Sequence, residues 1–184
     1  MYFFNTAAGL ILAPNEEFAR IREDSRSITR ILIDFILYLF ILQWVIGFSN
    51  RFFILSAEAA AFGNLAYITA FNLTSLISIP VNALILNLFA PSFGCERSYE
   101  KYFEIESYTA VAALAGAVLN MTGIPYIGLL SYPYKIFLRY KALSIVKECR
   151  KGPVFYAILP ELITTIIAVS SVLVLFYIYT THYL

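Results

Sequence analysis

Five apolar runs constrain this chain more than any other feature. They fall at roughly 31–48, 65–89, 107–120, 124–143 and 157–179 of its 184 residues. A bilayer core about 30 Å thick takes around 20 apolar residues per helix. Inside lipid every backbone N–H and C=O must be satisfied within the protein, so such runs fold as helices. Overall, 60% of the chain is hydrophobic and 14% charged, against roughly 45–50% and about 25% in soluble domains. The surplus is gathered in the runs. The sequence therefore predicts an all-α, polytopic transmembrane bundle of five helices over 31–184. A cytoplasmic amphipathic segment over 1–30 precedes it, and no length remains for a separate soluble domain.

The stretch from Asn120 to Lys151 organises the bundle. It opens with the turn Met121-Thr122-Gly123 and Pro125, continues as about twenty mostly apolar residues and ends in a basic cluster. So short a turn makes the third and fourth helices an antiparallel hairpin, whether or not both fully span. Ala112 and Gly116 lie four apart on the third helix and predict a close helix–helix contact. Residues 90–106, which carry most of the charge between the second and third runs, read as a polar loop.

Residues 1–13 are apolar but too short to span, and no cleavable signal peptide is evident. Pro14 suits the first turn of a helix. Phe18, Ile21, Ser25 and Ile28 follow at spacings of three or four, with charged residues between them. That pattern predicts a helix lying on the membrane surface. The alternative is a solvated extension of the first membrane helix.

Orientation follows from the distribution of Lys and Arg. One side receives Arg20, Arg22, Arg26, Arg30, Arg97, Lys101, Arg139, Lys141, Lys147, Arg150 and Lys151; the other receives Arg51. Lys135 falls within the fourth run. The N-terminus is therefore expected in the cytoplasm and the C-terminus on the opposite side, in a prokaryotic cytoplasmic (inner) membrane. Cys95 and Cys149 both fall on the cytoplasmic, reducing side, so free thiols are expected there rather than a disulfide.

Charged and polar residues inside the membrane are the natural functional candidates. Asp34 lies one turn inside the first run. Lys135 and Arg139 share a face of the fourth, deep enough to pair with Asp34 or to snorkel to the headgroups. On the second run Asn72, Ser75, Ser78 and Asn82 form a polar stripe. Its expected role is packing; a solute pathway is the alternative. Arg139, Lys141, Lys147, Arg150 and Lys151 form a basic cluster suited to anionic headgroups or a protein partner. Glu96, Glu100, Glu104, Glu106 and Glu161 read as part of a mixed-charge cytoplasmic surface.

No P-loop, H-E-x-x-H, G-x-S-x-G or dinucleotide-binding glycine pattern occurs. The single histidine, His182, lies at the end of the chain, and two cysteines with it make too few ligands for a zinc site. No catalytic residue, cofactor or metal is expected, and the net charge of +1 gives no reason to expect nucleic acid.

Three features together carry a family resemblance: Pro14-x-x-x-Phe18-x-x-Ile21 before the first run, Ile124-Pro125-Tyr126-Ile127-Gly128 opening the fourth, and Tyr134 to Ala142 ending in Lys141-Ala142. They resemble the Yip family, the Ypt-interacting-protein domain family of five-helix membrane proteins. The resemblance implies a membrane protein without known catalysis. Eukaryotic members of that family organise early secretory traffic with Rab-type GTPases; the short segment before the first run here is similar to that of prokaryotic members, so Rab binding is not carried over.

The expected function is a non-enzymatic membrane scaffold or accessory subunit. Its partners would be membrane lipids and other integral membrane proteins, or further copies of itself. A small-solute transporter or channel using the second-helix stripe and the Asp34/Lys135 region is the alternative.

Overall fold

The computed structural model describes the backbone except at Met1, Ser25, 55–60, Gly123, Pro125, Arg150, Lys151 and Leu184, and side chains except also at 50–54, 61–68, 70–71, 168–169 and 171–183. The described chain is all helical. In order it has α1 (Tyr2–Leu12), α2 (Pro14–Glu23), α3 (Ile28–Ile31), a π-helical turn (Leu32–Ile36) and α4 (Leu37–Ile54). It continues with α5 (Ala61–Phe89), a 3₁₀ turn (Ala90–Phe93), α6 (Tyr99–Thr109) and α7 (Val111–Asn120). A second 3₁₀ turn (Ile127–Leu130), α8 (Ser131–Ile145) and α9 (Pro153–Tyr183) complete it.

Two stretches, Ile28–Ser49 and Asn72–Phe93, are long and apolar enough to cross a membrane. Each has 22 residues, about 33 Å at 1.5 Å per residue. Their faces divide cleanly. In the first, Ile31, Phe35, Leu39 and Gln43 are buried at a spacing of four, while Leu37, Ile41, Val45 and Phe48 are exposed. In the second, Ile79, Ala83, Leu86 and Ala90 are buried and Leu73, Ile77, Val81, Leu84 and Leu88 exposed. Exposed apolar rows of this length leave a hydrophobic outer surface.

The predicted polar loop over 90–106 is corrected. Pro91 opens the 3₁₀ turn, Gly94 closes it at φ +70°, and α6 begins at Tyr99, with Glu100 in its first turn. Charges at Glu100, Lys101, Glu104 and Glu106 hide this helix from hydropathy, yet every residue from Tyr102 to Thr109 is buried. A helix buried all round needs partners for its carboxylates, and α6 packs against α5, α7, α8 and the α3–π-turn rod.

The hairpin has the expected antiparallel form, with α7 against α8 and the intervening 3₁₀ turn. The Asn120 side chain accepts the Gly128 N–H at 3.1 Å. Tyr126 takes the left-handed conformation at φ +63°. Ala112 is fully buried. A Cβ at Gly116 would lie 2.7 Å from the Ser131 Cβ, so this small-residue face seats the chain's own hairpin. Helix α7 has 10 residues, about 15 Å, but runs on from α6 through the helical Ala110.

The apolar face expected to meet lipid meets protein instead. Phe18 and Ile21 are buried where α2 packs on α8. Helix α1 buries Phe3, Thr6, Ala7 and Leu10 against α2, α7 and the π turn. The Tyr134 hydroxyl donates to the Leu10 carbonyl at 2.9 Å. Residues 2–23 are thus an α-hairpin docked on the bundle.

The expected free thiols are also corrected: Cys95 and Cys149 form a disulfide. Helices α6 to α8 return the chain so that the loop after α8 lies beside the loop after α5. The two Cα atoms stand 5.0 Å apart, within disulfide reach.

Candidate functional site

Four charged side chains from three helices meet inside the bundle. Lys135 and Arg139 are one turn apart on α8, so they share a face. Glu106 reaches them from α6 and Glu161 from α9. The Arg139 guanidinium grips both oxygens of Glu106, through Nε to Oε1 and through Nη2 to Oε2 at 2.8 Å. Nη2 also reaches Glu161 Oε1 at 3.0 Å, and Nη1 donates to the Ala157 carbonyl at 2.7 Å. Lys135 Nζ lies 2.8 Å from the same Glu161 oxygen.

The side chains of Arg139 and Glu106 are 0% exposed; those of Lys135 and Glu161 are 18% and 20% exposed. Desolvating a single charge costs several kcal/mol. Here two carboxylates face two cations, so the cluster is formally neutral, and the forked Arg–carboxylate geometry is the strong form of the contact. Pro160, within α9, has no N–H for the Tyr156 carbonyl and loosens the turn carrying Ala157. The result is a rigid, internally neutralised tie joining α6, α8 and α9.

This redistributes the predicted sites. Arg139 is buried and committed to protein partners, so it is withdrawn from the headgroup cluster. Lys135 pairs with Glu161 rather than Asp34. Asp34 lies in the π turn and pairs with Arg26 at 3.3 Å, its side chain 43% exposed. Lys141 lies 5.5 Å from the Phe137 ring. Lys147 lies 5.1 Å from the Tyr102 ring, and burial pushes its ammonium pKa down. Arg150 and Lys151 fall outside the described residues. On α5, Asn72 and Asn82 are buried and Ser75 is half-buried. The Ser78 hydroxyl donates to the Ser75 carbonyl at 2.7 Å. The Asn82 Oδ1 is buried with no hydrogen-bond partner among the described residues.

Sequence reasoning missed Glu106 and Glu161 as cluster members. The available signal was the pair Lys135 and Arg139: two cations on one face of an apolar run require buried counter-charges. Glu161, which interrupts the last apolar run, was the nearest such signal.

A second polar cluster ties the N-terminal hairpin to α6. The Tyr2 and Tyr108 hydroxyls are 2.7 Å apart. The Arg26 guanidinium lies 3.5 Å from the Tyr2 ring centre and 2.9 Å from Asp24. Lys101 Nζ meets one oxygen of Glu104 at 2.8 Å, and the Arg26 backbone N–H also favours the charged carboxylate. Burial raises the Glu104 pKa more than Lys101 lowers it. The folded state then binds the Glu104 proton more tightly than the unfolded chain does. This contribution is full below the ordinary glutamate range and is lost as pH rises through the raised value. Glu104→Gln is expected to flatten that part of the stability–pH curve, measured by thermal unfolding in detergent from the ordinary glutamate range upward. An unchanged slope would show that Glu104 is not its source.

Among the described residues, no three His, Cys, Asp or Glu side chains gather as a metal site. A family model described as the Yip1 domain matches residues 8–181. No curated protein and no solved structure matches the chain.

Proposed function

Because the chain belongs to the Yip1 domain family, we propose that it is a non-enzymatic integral membrane scaffold or accessory subunit. The supporting observation is the state of the buried charges. Arg139 makes four hydrogen bonds, to Glu106, Glu161 and the Ala157 carbonyl, and Lys135 is held by Glu161. A carrier needs buried polar groups that can exchange partners with a solute or proton. Here the buried charges hold helices together.

The exposed rows on α4 and α5, with Ile158, Leu162 and Ile166 of α9, are suited to lipid or to the apolar face of another membrane protein. Five crossings fit this surface: the α3–α4 rod, α5, α7 with the last turn of α6, α8 and α9. The basic side then faces the cytoplasm, where Lys141 and Lys147 contribute to attraction for anionic headgroups. Each basic residue near such a surface is worth about 1 kcal/mol.

One observation favours a solute pathway as a second reading: the Asn82 oxygen, without a partner among the described residues, lies inside a candidate membrane span. Reconstitution separates the two. Proteoliposomes loaded with a pH-sensitive dye, and separately with potassium, are expected to leak no faster than empty vesicles. Asn82→Leu is expected to change neither leak nor folding. A protein-dependent flux abolished by Asn82→Leu in a folded variant would replace the scaffold with a conduit.

A further inference from the structure

The Cys95–Cys149 bond lies where three separate parts of the chain are held together. Cys149 follows Glu148, which takes the left-handed conformation at φ +50°, a strained state for a residue with a side chain. This closes the end of α8: the Val146 N–H donates to the Ala142 carbonyl at 2.7 Å and the Cys149 N–H to the Leu143 carbonyl at 3.2 Å. The Glu148 carboxylate is 2.6 Å from Arg22 Nη2, and Arg22 Nη1 also donates to the Ile145 carbonyl at 3.4 Å. The N-terminal hairpin is therefore docked on the same strained cap. On the other side, Cys95 follows the left-handed Gly94, and the Tyr102 hydroxyl donates to the neighbouring Glu96 carbonyl at 3.2 Å.

The bond thus fixes a strained cap between the N-terminal hairpin and the α5–α6 loop, closing a segment with a sequence separation of 54 residues. The Lys and Arg distribution puts both loops on the side expected to face the cytoplasm. Disulfides exposed to a reducing cytosol are mostly transient or sensing ones.

We propose that Cys95–Cys149 is a reversible thiol–disulfide latch whose reductant is a small dithiol, and that opening it loosens the end of α8 together with its Arg22–Glu148 contact, while Phe18 and Ile21 keep the N-terminal hairpin seated on α8. Cys95 and Cys149 are 7% and 8% exposed, which limits direct attack to small thiols. A thiolate of the dithiol attacks one sulfur and forms a mixed disulfide as the S–S bond breaks, expelling the other cysteine as a thiolate. The second thiol of the reductant then attacks its own mixed-disulfide sulfur and expels the remaining cysteine. Two electrons enter the protein, both cysteines take up protons, and the reductant leaves as a cyclic disulfide. With Cys149 free, Glu148 can leave its left-handed conformation, which moves its carboxylate away from Arg22.

The test uses the full chain in phosphatidylethanolamine–phosphatidylglycerol vesicles, before and after dithiothreitol. Thiols are counted by maleimide mass shift, and amide exchange is followed by mass spectrometry. Reduction is expected to expose two thiols and to speed exchange at least tenfold in residues 143–149, leaving α2 and α5 unchanged. Reoxidation should restore the slow pattern. A Cys95→Ser/Cys149→Ser variant should show the fast pattern without reductant; if it fails to fold, the wild-type comparison decides alone. Unchanged exchange after complete reduction overturns the latch. So does a bond that yields to dithiothreitol only once the whole chain unfolds.

Discussion

Glu106→Leu is expected to destabilise the protein by about 3–5 kcal/mol, the usual cost of removing one partner of a buried ion pair. The substitution leaves Arg139, whose side chain is 0% exposed, without its two strongest contacts. Glu161 already serves one of the Arg139 nitrogens, and its Oε1 is shared with Lys135. The cost should therefore come mainly from the orphaned guanidinium rather than from the loss of Glu106 itself. A double variant separates these terms. Glu106→Leu with Arg139→Met removes both charges, keeps the apolar volume and leaves Lys135 with Glu161. It should recover most of the lost stability, since replacing a whole buried pair by hydrophobic groups is often near neutral. Denaturant unfolding in lipid–detergent bicelles measures both. A single substitution costing under about 1 kcal/mol would fall in the range of surface ion pairs and would contradict the buried tie.

Gly116→Leu is expected to cost about 3 kcal/mol, at the upper end of ordinary overpacking. Even a Cβ here would stand 2.7 Å from the Ser131 Cβ and 3.0 Å from the Gly128 carbonyl oxygen. The carbonyl is backbone and cannot rotate away. Gly128 in turn has the Asn120 amide 2.3 Å from where its own Cβ would be, so the hairpin cannot slide to make room. A graded series gives the argument its control. Gly116→Ala should cost about 1–2 kcal/mol, and pairing it with Ser131→Gly should return part of that loss by removing the nearest atoms. Thermal unfolding followed by size-exclusion of the detergent-solubilised protein reads the series. Tolerance of leucine at Gly116 would mean that α7 and α8 do not pack this closely.

The all-helical fold and the two stretches of membrane length, Ile28–Ser49 and Asn72–Phe93, were legible because their signal is collective: long apolar runs leave few alternative folds. The hairpin was legible because a turn over 121–123 allows one geometry. Helix α6 was not, because Glu100, Lys101, Glu104 and Glu106 lower its hydropathy to that of a loop, and only their distant partners make burial tolerable. The same blindness to tertiary partners explains Arg139. A guanidinium four residues beyond Lys135 reads as a headgroup ligand until Glu106, 33 positions upstream, is seen to close on it. The N-terminal helix shows the complementary case. Phe18 and Ile21 announced a buried face correctly, but periodicity says only that a face is apolar, and lipid and α8 satisfy it equally. Cys95 and Cys149 were assigned by compartment, which is silent on whether two loops touch.

The most direct measurement for the scaffold reading is the composition of the assembly released from native membranes by gentle, lipid-preserving extraction. Native mass spectrometry of the tagged full chain is expected to show a second integral membrane protein, or further copies of this chain, at fixed stoichiometry with bound lipid. A lone, lipid-stripped monomer as the dominant species, from membranes shown to hold it intact, would contradict the account.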